Sequence, residues 1–162
     1  MSAVIRHATP GDAPVVLQMI RDLAEHEGLA DEVVATEGDL RDSLAADPPH
    51  AEVVIAEIDG STAGFALFFH NYSTFHCRRG LYLEDLYVRP EFRRRGVGTE
   101  LLRHLARLAV DRSCARLEWW VLGSNTEAVA FYRKLGAVAM SDWTVQRVTG
   151  PTLRRLAGQN GT

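Results

Sequence analysis

Residues 86–98 read Leu86-Tyr87-Val88-Arg89-Pro90-Glu91-Phe92-Arg93-Arg94-Arg95-Gly96-Val97-Gly98. An apolar, β-prone run closes at a proline, three arginines follow, and two glycines spaced two apart open the next segment. Residues 96–112 then place Val97, Leu101, Leu102, Leu105, Leu108 and Ala109 at helical spacing, which predicts a helix with one apolar stripe. Glycine at a helix N-terminus lets backbone approach a ligand closely. The unpaired N–H groups there, together with the positive end of the helix dipole, favour an anion. Adjacent arginines add charge-assisted donors. The stretch therefore predicts a pyrophosphate-sized anion site at a strand-to-helix turn, of neither the Gly-x-Gly-x-x-Gly nor the Gly-Lys-Ser/Thr type.

Working upstream, residues 81–88 form a central strand candidate interrupted by Glu84-Asp85. Residues 52–58 and 63–69 flank Asp59-Gly60, a strong hairpin turn, and predict an antiparallel pair. Thr9-Pro10-Gly11-Asp12 and Thr36-Glu37-Gly38-Asp39 are helix-start patterns, the first after a short strand at 4–7 and the second ended by Pro48-Pro49. Downstream, 115–122 reads as a strand, 125–135 as a helix ended by Gly136, and 143–148 as a last strand. The order βααβββαβαβ predicts an α/β or α+β mixed sheet packed by helices. Residues 1–157 read as a single domain without repeats or linkers, and 158–162 as a disordered tail.

The 162 residues suffice for one hydrophobic core, and 46% hydrophobic with 24% charged content fits an ordinary globular domain. No stretch has the length of a membrane span and the N-terminus lacks a signal-peptide pattern, so a cytoplasmic location without membrane association is expected. Cys77 and Cys114 are too far apart for paired metal ligands, so reduced thiols and no metal are expected. The net charge of -3 argues against a broad nucleic-acid surface.

Arg93-x-x-Gly96-x-Gly98 after the 86–90 strand end, with Asn125-x-x-Ala128-Val129-x-Phe131-Tyr132-x-x-x-Gly136-Ala137 downstream, resembles the GNAT acetyltransferase superfamily over nearly the whole chain. Tyr82-Leu83-Glu84-Asp85-Leu86, His26-Glu27 and the segment at Trp143 are similar to its spermidine/spermine and thialysine acetyltransferase branch. The resemblance implies a mixed, mostly antiparallel twisted sheet flanked by helices. It implies acetyl-CoA as co-substrate, with backbone at Leu86, Tyr87 and Val88 pairing with the pantetheine arm. Arg93, Arg94, Arg95, Gly96, Val97, Gly98 and Thr99 would surround the pyrophosphate, and Asn125, Thr126, Glu127, Ala128 and Tyr132 would add cofactor contacts. Arg94 and Arg95 are bulkier than the residues often found in this loop, so their side chains are expected to turn away from the phosphate.

Acetyl transfer to a primary amine must first free the nitrogen lone pair, since an amine with a pKa of about 10.4 is protonated at neutral pH. Glu84 is the expected base, acting through water, and Tyr132 the expected acid toward the departing thiolate. On a regular strand Glu84 and Asp85 would point to opposite faces unless a bulge redirects one. The branch resemblance implies substrate contacts at His26, Glu27, Asp85, Glu118, Trp119, Trp120 and Asp142, where carboxylates and an indole face suit a small cationic amine such as a diamine, polyamine or thialysine-like amino acid. Ser73 and Phe75 stand where polyamine-specific members tend to carry an acid and a Trp, which weakens the case for a long polyamine. A homodimer is implied. The alternatives are a GNAT enzyme acting on a protein or antibiotic amine, and a catalytically silent acetyl-CoA-binding regulatory module.

Overall fold

The computed structural model describes residues 3–159. Five strands form one sheet in the order β1 (Val4–His7), β2 (Glu52–Ile58), β3 (Ser61–Ser73), β4 (Arg78–Val88) and β5 (Leu117–Trp119). The first four pair antiparallel, and β5 joins β4 in parallel through Leu81↔Leu117, Tyr82↔Glu118 and Leu83↔Trp119. Asp59 and Gly60 both take positive φ, the geometry a two-residue hairpin requires, so Ile58 pairs directly with Ser61.

The helices are α1 (Ala13–Glu27), α2 (Glu37–Ala45), α3 (Val97–Asp111), α4 (Thr126–Lys134) and α5 (Gly150–Leu156). Thr36 and Asp39 form the reciprocal cap anticipated for α2: Thr36 Oγ1 accepts from the Asp39 amide, and the Asp39 carboxylate accepts from the Thr36 amide. Gly28, at φ 73, ends α1 in the left-handed conformation that glycine adopts without a Cβ clash.

Strand alternation sends Val53, Ile55, Phe65, Leu67 and Tyr87 to one face, where they pack on Ala13, Val16, Leu17 and Met19 of α1 and Leu40 of α2. The opposite face carries α3, whose Val97, Leu101, Leu102, Leu105 and Ala109 are buried. The Arg112 guanidinium, just past α3, lies over the Phe68 ring and holds both Glu52 oxygens at 2.6 and 2.9 Å.

The chain forms two compact units, divided between Trp120 and Val121. In the second unit the Asn125 side chain caps α4 by accepting from the Ala128 amide at 3.1 Å, and Gly136 follows the helix at φ 90. Residues 143–148 differ from the sequence reading. Their alternation suits a strand, but they have no ladder partner among the described residues and stay exposed, with Trp143 77% accessible. The next turn of structure is α5, opened by Thr149 with Pro151 at its start, where no element was expected. β5 is also shorter than the 115–122 run predicts. Of the tail expected to be disordered, residues 160–162 lie outside the described residues.

Candidate active site

Between β4 and α3 the arginine loop takes a bent course, with Arg94 at φ 59 and Gly96 at φ 82. Gly96 is the N-cap of α3, so the amides of Val97, Gly98 and Thr99 occupy the first turn and lack intrahelical acceptors. Arg93, Arg94 and Arg95 are exposed. Arg93 donates from Nε to the Val88 carbonyl at 3.1 Å and lies 5.8 Å from the Tyr87 ring centre, while Arg95 lies 5.5 Å from that of Phe92. Two of the three arginines are thus laid against neighbouring aromatic rings, and a helix N-terminus rich in free N–H groups remains.

β5 accompanies β4 only from Leu81 to Leu83. Beyond that point the β5-side edge of β4, which includes Asp85, Leu86, Tyr87 and Val88, has no strand neighbour among the described residues. An extended ligand could pair along it as a strand would. This open edge runs toward the loop at Arg93.

The β3–β4 ladder carries the feature on which the carboxylates depend. Phe68 pairs with Leu83 but Leu67 pairs with Asp85, so Glu84 is an inserted residue with no partner of its own. Phe69, paired with Tyr82, and Leu67, paired with Asp85, share a face of β3. Tyr82 and Glu84 therefore share a face with Asp85 and Tyr87: the bulge places both carboxylates on the α1 side of the sheet. Glu84 is exposed, while Asp85 is half-buried. Burial, followed by the charges of Glu84 and Glu27, pushes the Asp85 carboxyl up to about 6. Tyr82 responds to the same field, its hydroxyl pushed up to about 12 by burial and then by Glu84 and Glu118.

Asp85 lines an open, shallow cleft of about 190 Å³ together with Ile20, Leu23, Ala24, Leu29 and Val33 and the carboxylates of Glu27 and Glu32. Its lining has three carboxylates and no basic side chain. Glu32 was not singled out in the sequence. It reaches the cleft through a turn at Ala30–Glu32 that follows Gly28, and no local pattern announces that contact. Among the other anticipated residues, His26 is exposed in the last turn of α1. Glu118 is engaged by Asn71 Nδ2 and by Arg116 Nε at 3.1 Å. Trp119 is half-buried, and Trp120 is 59% exposed with its ring edge-on to Tyr82.

In the second unit, Asn125, Thr126, Glu127 and Ala128 form the first turn of α4, and Tyr132 is half-buried on that helix beside Phe131, ring centres 5.3 Å apart. Asp142 is exposed in a turn. Among the described residues no group of three or more His, Cys, Asp or Glu is arranged to hold a metal ion.

The model of the acetyltransferase (GNAT) family matches residues 17–137, which include the strand edge, the arginine loop, α3 and α4. The chain belongs to the GNAT acetyltransferase family. It is an N-acetyltransferase, and the family uses acetyl-CoA as co-substrate. The chain is 37% identical to a thialysine N-epsilon-acetyltransferase of Sus scrofa, with 98% of this chain and 99% of that one aligned. It is 30% identical to an L-ornithine N5-acetyltransferase of Arabidopsis thaliana, over 96% of this chain and 88% of that one. Among solved structures, an integron cassette protein from the V. cholerae mobile metagenome superposes with a TM-score of 0.80 at 27% identity, covering 97% of this chain and 98% of that one.

Proposed function

We propose that this GNAT enzyme transfers the acetyl group of acetyl-CoA directly to a primary amine of a small cationic substrate, a thialysine-like amino acid, a short diamine or a related polyamine. The single observation that carries this choice is the cleft beside Asp85, with apolar walls, three carboxylates and no basic side chain. An alkyl chain with a positive charge at a distance from the reacting nitrogen complements that lining. The relatives named for thialysine and L-ornithine support the same class.

In this reading the loop backbone from Arg94 to the α3 N-terminus at Thr99 wraps the pyrophosphate, with the Arg94 and Arg95 side chains turned outward, and Arg93 holds the turn. The edge at Leu86, Tyr87 and Val88 carries the pantetheine, and Asn125 to Ala128 contribute cofactor contacts. Glu84, acting through water, takes the ammonium proton and Tyr132 supplies one to the thiolate. Glu27, with His26, Asp85, Glu118, Trp119, Trp120 and Asp142, attracts the cationic tail. Residues 1–157 act as one catalytic domain, because the family match runs across the Trp120/Val121 boundary. The enzyme works in the cytoplasm as a homodimer, without metal, membrane or nucleic-acid partner. A monomeric mass by light scattering at micromolar concentration would count against the dimer.

The charge reading is tested by comparing kcat/KM for amines of equal length with cationic and neutral tails. At an effective dielectric near 20, a charge pair at about 4 Å interacts by about 4 kcal/mol before desolvation. The cationic tail should therefore be preferred, and the preference should shrink with salt. Equal efficiency at all ionic strengths would sink the small-cation reading and leave the acetyltransferase intact.

A further inference from the structure

Gly64 is buried in the interior of β3, where glycine costs backbone entropy and packs no side chain. Its φ lies outside the left-handed region, so its conformation is open to any residue. What excludes a side chain is the neighbouring strand. A Cβ at Gly64 would collide with the Tyr87 carbonyl oxygen and stand 3.2 Å from Val88 Cα and 3.4 Å from the Tyr87 carbonyl carbon. All three atoms are backbone and cannot rotate aside. Gly80, near the start of β4, differs: the atoms closest to its Cβ position belong to the side chains of Asn71 and Arg116, which can turn away.

Gly64 pairs with Val88 on one side and with Ala56 on the other, and the Arg89 amide donates to the Ala63 carbonyl at 2.9 Å. β3 is thus held between two strands at this point. β4 is not, because past Leu83 its far edge has no strand neighbour among the described residues. The Tyr87 oxygen lies nearer the Gly64 Cβ position than its carbon does, so that carbonyl points to β3. The backbone groups of Leu86 and Val88 alternate with it and face the open edge, and the Val88 carbonyl accepts there from Arg93. When an atom is added at Gly64, β4 is the strand that yields, and it moves toward the space a ligand on that edge would fill.

Resting on the reading above that the pantetheine arm of acetyl-CoA pairs along β4, we propose that Gly64 is a positioning residue for the cofactor. By lacking a side chain it lets Tyr87 and Val88 seat against β3, and so sets where the outward N–H and C=O groups of Leu86 and Val88 meet the arm. It touches neither the cofactor nor the amine. The hydrogen bond from Arg89 to Ala63 acts with it, drawing β4 into the gap that the glycine leaves.

The test measures dissociation constants of the purified full chain for acetyl-CoA and for 3′-phospho-ADP, the half of CoA that carries the diphosphate and lacks the pantetheine arm. Gly64→Ala displaces β4 by adding an atom. Arg89→Pro loosens it without one: Arg89 already has φ -57 and ψ 142, which proline adopts, and the change removes the amide bonded to Ala63. Arg89→Ala keeps that amide and serves as its reference. Gly64→Ala should weaken acetyl-CoA binding about 10-fold or more while 3′-phospho-ADP stays within about 2-fold, and Arg89→Pro should do the same relative to Arg89→Ala. A folded Gly64→Ala with wild-type affinity for acetyl-CoA overturns the proposal, as does equal weakening of both ligands, the result expected of a general loss of sheet order. If Gly64→Ala does not fold, an Arg89→Pro indistinguishable from Arg89→Ala overturns it. A wild type that binds 3′-phospho-ADP as tightly as acetyl-CoA contradicts the pantetheine reading itself, and the role of Gly64 with it.

Discussion

The Arg93 guanidinium donates to the Val88 carbonyl at 3.1 Å, tying the start of the arginine loop back to the last residue of β4. An arginine adjoining a pyrophosphate-binding turn would ordinarily be assigned to the phosphate. This one is turned toward its own strand and the Tyr87 ring, and in the reading proposed above it holds the turn that presents the α3 amides. Arg93→Ala should weaken acetyl-CoA binding by about 10-fold, equivalent to ~1.4 kcal/mol for one hydrogen bond to a charged donor. The salt dependence of binding should be nearly unchanged, because the lost contact is not a phosphate contact. Calorimetric titration at two ionic strengths checks this, and a collapse of the salt dependence would return Arg93 to the phosphate.

Asp85→Asn should raise thermal stability at pH 7.5. The folded-state carboxyl is raised to about 6, so the folded chain holds that proton more tightly than the unfolded one. The destabilisation is therefore absent below about pH 4, grows as pH rises through 6 and is complete above it. At about 1.4 kcal/mol per pKa unit the gain is of order 1–3 kcal/mol at pH 7.5, several degrees in Tm, and near zero at pH 4. A melting series across that range reads it directly; a gain of the same size at both ends would mean that charge is not its source.

Much of the sheet is legible from local chemistry. The Asp59-Gly60 turn sets β2 and β3, the threonine–aspartate cap sets α2, and the apolar stripe ending at Ala109 sets α3. The bulge at Glu84 is not legible, because an inserted residue is defined only against the partner strand, and the sequence leaves open whether the two carboxylates share a face. Glu32 escapes notice for a related reason: its place in the cleft follows from where the chain goes after Gly28. Residues 143–148 fail in the opposite sense. Trp143 and Val145 alternate as a strand should, yet alternation describes a surface that needs a neighbour, and the described chain offers none. Thr149-Gly150-Pro151 is a helix start of the kind seen at Thr9 and Thr36, and α5 begins there, directly after the alternating segment.

Across the other face of the sheet, Glu52 and Arg112 join β2 to the end of α3 through two hydrogen bonds. The hydrogen bond from Arg112 holds the Glu52 carboxyl below the usual carboxylate range against the opposing effect of burial. A depressed folded-state pKa gives stability that is present above the unfolded value and lost as pH falls through the folded one. Glu52→Gln should cost about 1–2 kcal/mol at pH 7, with the difference from the wild type closing in acid. Urea denaturation at pH 7 and pH 3 measures both; an undiminished difference at pH 3 would assign the loss to packing.

Tyr132→Phe keeps the ring that packs beside Phe131 and removes only the hydroxyl. Acetyl-CoA affinity should hold while turnover falls about 10²-fold if the hydroxyl protonates the thiolate. Thiophenol-like acyl donors, whose thiolates leave without protonation, should recover most of that loss. Undiminished turnover with acetyl-CoA would leave Tyr132 a packing residue.

The central claim, acetyl transfer from acetyl-CoA to a small cationic amine, is tested most directly by incubating the purified protein with acetyl-CoA and a panel of thialysine, ornithine, short diamines and neutral-tailed amines. Thiol release is followed and the products are weighed by mass spectrometry. The account predicts one acetyl group on a primary amine for each thiol released, fastest with the cationic-tailed members. Acetyl-CoA binding without amine-dependent thiol release from any member of the panel would contradict it.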